Sequence, residues 1–261
     1  MARVFITGSA DGLGQQAARQ LVALGHEVVL HGRSRERAQQ AMRAVPGAKT
    51  ALVGDLASID ETRALADQAN AAGPFQAVIH NAGIYHPGER PRQTVDGLAD
   101  VFAVNALAPY LLTALIERPQ RLIYLTSGMH AGGDPQVTDL KRRQQRWDGS
   151  QAYSNSKLFD VILAFAVARL WPTVLSNAVN PGWVPTKMGG RSAPDDLEKG
   201  AETQVWLAVS VEPGALVSGG YFFHKRQRAA HPAASNVAIQ DAFLDACERL
   251  TDVGFPAAVR S

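Results

Sequence analysis

Three features of this sequence predict an α/β fold: one domain built on a doubly wound parallel sheet with helices on both faces. Short β-branched runs alternate with longer segments of helical period, the pattern of crossover units. The 261 residues suffice for one large core, and no Pro/Gly/Ser-rich linker, repeat or low-complexity block divides them. The chain also opens on a strand that runs straight into a glycine-rich turn and a helix.

Six strands are predicted, "RVFIT" (3–7), "EVVLH" (27–31), "KTALV" (49–53), "QAVIH" (76–80), "RLIYLTS" (121–127) and "TVLSNAVN" (173–180). Between them, "LGQQAARQLVALG", "SRERAQQAMRAV", "SIDETRALADQANAAG", the span from about Thr94 to Ile116, and "SQAYSNSKLFDVILAFAVARL" carry apolar residues at three- and four-residue intervals. Ser34 and Ser58 stand where N-caps belong, and Gly25 and Gly73 where helices stop. In such folds ligands bind beyond the carboxyl ends of the strands, so the residues after each strand are where function is sought.

Lys plus Arg (26) nearly balances Asp plus Glu (24), which gives no global basic footprint for nucleic acid. The densest basic run, residues 141–147, reads first as a solvated face. The lone cysteine, Cys247, cannot form an intrachain disulfide and sits in an apolar helical pattern, where it is read as packing. With no secretory signal before the first strand and no run of the ~18 apolar residues a membrane helix needs, a cytoplasmic protein that neither enters nor spans a membrane is expected. The seven histidines show no metal-ligand spacing, so no metal is expected.

"ITGSADGLGQQ" places Gly8, Gly12 and Gly14 at the opening of the first helix. The spacing is G-x-x-x-G-x-G, with Leu13 inside it, and it lets backbone approach a pyrophosphate at a helix N-terminus; the competing reading is a turn without ligand. The second strand ends on "LHGRSRER", where an enzyme selecting NAD places a carboxylate. Here Gly32 is followed by Arg33, Ser34 and Arg35, and a guanidinium pairs well with a 2′-phosphate. NADP(H) is therefore expected over NAD(H), which stays as second choice; arginines merely solvated in a first helical turn are the alternative. Asp55 and Leu56, after the third strand, are placed to meet adenine, and Asn81, Ala82 and Gly83, after the fourth, to let backbone come near the cofactor.

With "TGSADGLG", "NAG", Asn105, Ser127, "YSNSK" and "NPGWVPT" in this order, essentially the whole chain resembles the short-chain dehydrogenase/reductase family. "LHGRS", the long Ser-to-Tyr segment containing "TDL", and "SGGYFFHKRQ" before a last helix look most like its retinol-dehydrogenase and WW-domain-oxidoreductase branch. The resemblance implies a Rossmann-type fold and a catalytic tetrad of Asn105, Ser127, Tyr153 and Lys157. It also implies that Gly8, Gly12 and Gly14 cradle the pyrophosphate, Asp55 holds adenine and Asn81 lines the adenosine ribose side. Pro181, Gly182, Val184 and Thr186 would fix the nicotinamide carboxamide. A homo-oligomer fits the family as well. His80, Thr126 and Lys187 depart from its commoner residues without removing a catalytic side chain.

The residues suit the chemistry. Tyr153 can give a proton to an alkoxide, or take one from an alcohol, if its pKa falls from about 10 toward neutrality, which needs about 4 kcal/mol. Lys157, four residues on, is its neighbour on a helix, and an adjacent ammonium favours the phenolate. Ser127 can donate to the substrate oxygen where charge develops. Pro109 lacks the N–H that the carbonyl of Asn105 would accept from in a helix, which frees that carbonyl for a water leading to Lys157; a kinked helix is the plainer reading.

Tyr85, His86 and Pro87, His130 and Ala131, and Trp183 and Met188 are candidate substrate linings, His130 equally a loop residue. Residues 187–200 fall where the family has its substrate lid. The expected activity is hydride exchange with a small to medium, mostly apolar carbonyl or alcohol compound. An idle NADP(H) sensor and an enone reductase are the alternatives.

Overall fold

Alternate residues of each central strand enter different cores. In the computed structural model, which describes residues 1–88, 92–137 and 147–256, Phe5 joins one apolar cluster while its neighbours Val4 and Ile6 join another. Val29, Val78 and Tyr124 lie with Phe5; Val28, Leu30, Ile79 and Ile123 lie with Val4. Burial on both faces explains why these strands read as continuous apolar runs.

The strands are β1 (Arg3–Ile6), β2 (Glu27–Gly32), β3 (Thr50–Val53), β4 (Ala77–His80), β5 (Arg121–Leu125), β6 (Leu175–Asn180), β7 (Gly220–Phe223) and β8 (Arg226–Arg228). They form one sheet in the order β3-β2-β1-β4-β5-β6-β7-β8, parallel throughout except for β8. Helices α1 (Gly12–Ala23), α2 (Arg35–Ala44) and α7 (Leu197–Val209) give Ala17, Leu21, Ala41 and Val205 to the Val4 face. Helices α3 (Ile59–Ala72), α4 (Asp100–Phe102), α5 (Ala108–Leu115), α6 (Gly149–Leu170) and α8 (Val237–Thr251) cover the other, with Leu65, Phe102, Leu111, Ile162 and Phe243. Each of the larger apolar side chains among these contributes roughly 1.5–3 kcal/mol on leaving water. The chain winds outward from β1 toward β3, then returns to place β4 on the other side of β1. That reversal opens a crevice at the carboxyl ends of β1 and β4.

All six predicted strands are present, five of them trimmed by a residue or two and β2 longer by one. Ser34 and Ser58 accept from the backbone N–H of Arg37 and Glu61, so both act as N-caps, and α1 and α3 end at Leu24–Gly25 and Gly73. Three features differ from expectation. The helix assigned from Thr94 begins only at Asp100. Residues 92–99 turn back on themselves, with Thr94 N–H donating to Leu98 O, and Val95 is exposed despite its helical spacing. Second, β7 and β8 form a hairpin whose turn residues, His224 and Lys225, both take positive φ. That turn ordinarily uses Gly or Asn, so no sequence signal marked it. Third, the helix through Ala103–Leu107 widens to i→i+5 hydrogen bonding, with Ala108 N–H donating to Ala103 O. This wide turn is how the chain accommodates Pro109, which opens α5.

Cys247 is buried in α8 and burial pushes its thiol up, in keeping with packing. Among the described residues no helix is long and apolar enough to cross a membrane, and no cluster of His, Cys, Asp and Glu could hold a metal. Apart from Trp147, the basic run lies outside the described residues, as does "TDL".

Candidate active site

The glycine turn is fastened from three strands. Gly8 has φ +63°, and a Cβ there would stand 2.8 Å from the Ala82 Cα, so the turn packs directly on the loop after β4. Asn81 Nδ2 donates to Thr7 O (2.9 Å) and Gly8 O (3.1 Å), and Thr7 Oγ1 accepts from Asn81 N and Ala82 N. On the other side His31 Nδ1 accepts from Gly8 N–H (2.9 Å). The His31 ring then has its proton on Nε2, 2.8 Å from Gly54 O at the end of β3. Burial lowers the His31 pKa, which keeps the ring neutral and this pairing intact. Its buried position inside the "LHGRS" stretch gave no sign in the sequence of this second fastening.

Asp11 is another unforeseen part. It stands at the N-cap of α1 but makes no side-chain cap. Its carboxylate instead meets Arg37 (2.7 Å) and Lys187 (2.9 Å). Partial burial would raise that carboxyl, yet Lys187 and Arg37 hold it below the ordinary range. Lys187, unusual by family resemblance, thus ties the segment after β6 to the glycine turn.

The remaining predicted cofactor contacts line the same crevice. A Cβ on Gly32 would stand 2.4 Å from Ala38 N, so α2 packs where a carboxylate-bearing side chain would have to start. Arg33 follows, exposed, and Ser34 caps α2. Asp55 Oδ1 accepts from Ala57 N–H, and Leu56 is buried beside it. A Cβ on Gly12 would touch Thr186 at 3.2 Å, and one on Gly200 would meet Val184, Pro181 O and Leu13. Gly182, at φ +87°, brings Trp183 N–H to Asp195 Oδ2 at 2.6 Å. These residues fit a dinucleotide: a helix N-terminus behind a glycine turn, and an arginine rather than an acid after β2.

Tyr153 and Lys157 share one face of α6 and are 7% and 4% exposed. Lys157 Nζ lies 5.9 Å from the Tyr153 ring centroid and donates to Leu125 O and Asp160 Oδ2, both at 2.8 Å. Burial pushes the Tyr153 phenol up; the Lys157 charge and a hydrogen bond from Ser127 oppose that push, while Asp160 and Tyr85 add to it. Ser127 lies at the mouth, its Oγ accepting from Met129 N–H. Thr126, beside it, donates to Lys157 O at 2.6 Å and so clamps β5 to α6.

Asn105 is fully buried in the wide helical turn. Its Oδ1 accepts from Ile84 N–H (2.8 Å), and Nδ2 donates to Ile84 O and Ser156 Oγ (both 3.0 Å). Its side chain therefore joins the loop after β4 to α6. A Cβ on Gly83 would come within 3.5 Å of both Asn105 Oδ1 and Lys157 Nζ.

The predicted substrate linings separate into two groups. The Tyr85 ring packs on Tyr153 with centroids 4.5 Å apart, Met188 Sδ lies 3.9 Å from Tyr153 Oη, and Trp183 is 56% exposed. His130 is elsewhere: it is buried, its Nδ1 donates to Ser127 O (2.8 Å), and its Nε2 accepts from His231 N–H (3.3 Å). That placement makes it a brace for the Ser127 loop. His80 also turns inward, stacked on Tyr124 and bonded to Thr113. The segment read as a lid is looped only to Asp196, since α7 begins at Leu197.

A crevice for a dinucleotide beside a Ser–Tyr–Lys group at the carboxyl edge of the sheet is the arrangement of a nicotinamide-dependent oxidoreductase. The family profile described as short chain dehydrogenase matches residues 2–197, and the chain belongs to that family. An uncharacterized oxidoreductase of Emericella nidulans is 45% identical over 260 residues, covering 98% of this chain and 99% of that protein. A putative daunorubicin C-13 ketoreductase of a Streptomyces species is 31% identical over 85% of this chain and 83% of its own. Human retinol dehydrogenase 14 is 30% identical over 94% of this chain and 84% of its own, which agrees with the retinol-dehydrogenase-like branch. A solved structure from Mycobacterium paratuberculosis superposes with a TM-score of 0.84 at 25% identity, covering 98% of this chain and 95% of that one.

Proposed function

We propose that this chain reduces the carbonyl group of a small to medium, mostly apolar ketone or aldehyde, or oxidises the matching alcohol, with NADP(H) preferred to NAD(H). The observation that carries this reading is the buried Lys157 ammonium held beneath Tyr153, where its charge and Ser127 both favour the phenolate. The Streptomyces relative, named a ketoreductase, supports the carbonyl assignment.

Gly8, Gly12, Leu13 and Gly14 would hold the pyrophosphate, Arg33 and Ser34 the 2′-phosphate, Asp55 and Leu56 the adenine. Asn81, Ala82 and Gly83 would line the adenosine ribose side, and Pro181, Gly182, Val184 and Thr186 the nicotinamide carboxamide. When bound, the nicotinamide supplies or accepts the hydride. Tyr153 gives its proton to the substrate oxygen during reduction and takes it back during oxidation. Burial keeps that phenol protonated in the free protein, which suits it to donate. Ser127 donates to the same oxygen as negative charge builds there. Lys157 stabilises the phenolate that remains, and the backbone carbonyl of Asn105 is the place from which a water would reach Lys157. Tyr85, Trp183 and Met188 supply the apolar walls.

The test is oxidation of NADPH and NADH, followed by absorbance, across ketones, aldehydes and enones. Turnover of ketones or aldehydes is expected. Tight NADPH binding with no turnover of any carbonyl compound would convert the protein into a sensor, and turnover of enones alone into a double-bond reductase. Cofactor choice is checked separately: Arg33→Ala should weaken NADPH binding by roughly tenfold and leave NADH nearly unchanged, as loss of a charge-assisted phosphate contact requires. Equal weakening of both would remove Arg33 from the phosphate site.

A further inference from the structure

Beneath Tyr153, Lys157 is paired with a buried carboxylate that the proposed chemistry leaves without a role. Asp160 stands one helical turn past Lys157 on α6, 2% exposed, with Oδ2 2.8 Å from the ammonium. An ionised carboxylate in such a place carries a large desolvation cost. An asparagine would accept the same hydrogen bond without a charge, so position alone does not require an acid here.

The charge has an electrical consequence. Two of the three Lys157 N–H bonds are committed, one to Leu125 O and one to Asp160. The ammonium is thereby fixed under the phenol it acidifies. Ionised, Asp160 cancels much of that ammonium's field and itself raises the Tyr153 pKa; protonated, it leaves Lys157 unopposed. The titratable groups around the pair are Tyr153 on the same helix, Tyr124 on β5, whose phenol Asp160 raises, and Tyr85 over the Tyr153 ring. His80 stands behind Tyr124 and is neutral, burial having lowered its pKa to about 3.

We propose that Asp160 is a positioning residue for the acid/base step: it holds the Lys157 ammonium under Tyr153, and its own charge sets how acidic that phenol is. Burial pushes the Asp160 carboxyl up to about 7 against the pull of Lys157. Burial works to lower the Lys157 pKa, but the charges of an ionised Asp160 and of the Tyr153 phenolate carry it above its ordinary value. The role rests on Tyr153 being the proton donor and acceptor.

The experiment uses the full chain with Asp160→Asn and Asp160→Glu. The Tyr153 phenol is titrated by its phenolate absorbance, as a difference from Tyr153→Phe, and the pH profile of ketone reduction is recorded in parallel. Asp160→Asn should lower the Tyr153 titration, and with it the alkaline limb of the reduction profile, by roughly one unit. Asp160→Glu should return both toward the parent values. An unshifted titration in Asp160→Asn, or equal shifts in the two variants, would overturn the proposal. Should the Asn chain fail to fold, the parent protein decides by NMR of the Lys157 side chain. Its signal must move in step with the titration of the Asp160 carboxyl recorded in the same samples, and a Lys157 signal unmoved through that titration overturns the role. If no carbonyl compound is turned over, the carbonyl-reduction reading fails while the phenol titration still tests Asp160.

Discussion

The two walls of the crevice are built differently. On the cofactor side, Thr7, His31 and Asn81 bind the backbone of the glycine turn from three strands, with Thr7 and His31 buried and Asn81 half-buried. On the substrate side, Trp183 and Met188 are exposed and held by a few contacts, among them Trp183 Nε1 to Gly189 O and Trp183 N to Asp195. A wall that must fit one fixed ligand is preorganised by buried polar bonds. A wall of exposed apolar side chains can change residue by residue while the sheet beneath stays the same. On the proposed reading, the cofactor-facing part of the site lies at the strand ends and the substrate-facing part in the loops after β4 and β6.

This contrast can be broken by substitution. The largest effect is expected at Gly14, where a Cβ would stand 2.3 Å from Asn81 Nδ2 and 2.7 Å from Gly8 O. Gly14→Ala should cost roughly 1–3 kcal/mol of stability through overpacking, a drop of several degrees in Tm, and weaken NADPH binding at least tenfold. Calorimetry and a binding titration read both, and an unchanged Tm with unchanged NADPH affinity would mean that the turn is not fastened as described. The smallest effect is expected at Trp183. Trp183→Ala should leave Tm within about a degree and kcat within about twofold while KM for an apolar ketone rises a few-fold, as loss of part of one exposed wall implies. A collapse of kcat instead would place Trp183 inside the catalytic geometry rather than at its rim.

The difference between the walls also decided what could be read from the sequence. The turn after β1, the Arg33 position and the Tyr153–Lys157 pair were legible because each is local: a spacing, a strand end, one helical turn. His31, Asp11 and Asp160 were not, because their meaning lies in partners far away in sequence or in burial. His31 bonds Gly8 and Gly54 across two strands, and Asp11 meets Lys187 across most of the chain. Asp160 is an ordinary polar residue in the sequence until α6 is seen to be buried on nearly every side. His130 shows the same effect in reverse, since closeness to Ser127 in sequence suggested a substrate contact and the fold turned the ring inward. The β7–β8 hairpin escaped for a local reason, a left-handed turn made from His224 and Lys225.

The measurement that bears most directly on the account compares the parent protein with Tyr153→Phe in two assays, NADPH binding and NADPH-dependent ketone reduction. The ring stays and only the hydroxyl is lost, so the account predicts NADPH affinity within about threefold of the parent and a fall in kcat of roughly 10²–10⁴, the worth of a placed general acid. Ketone reduction at close to the parent rate by Tyr153→Phe, with NADPH still bound, would contradict it.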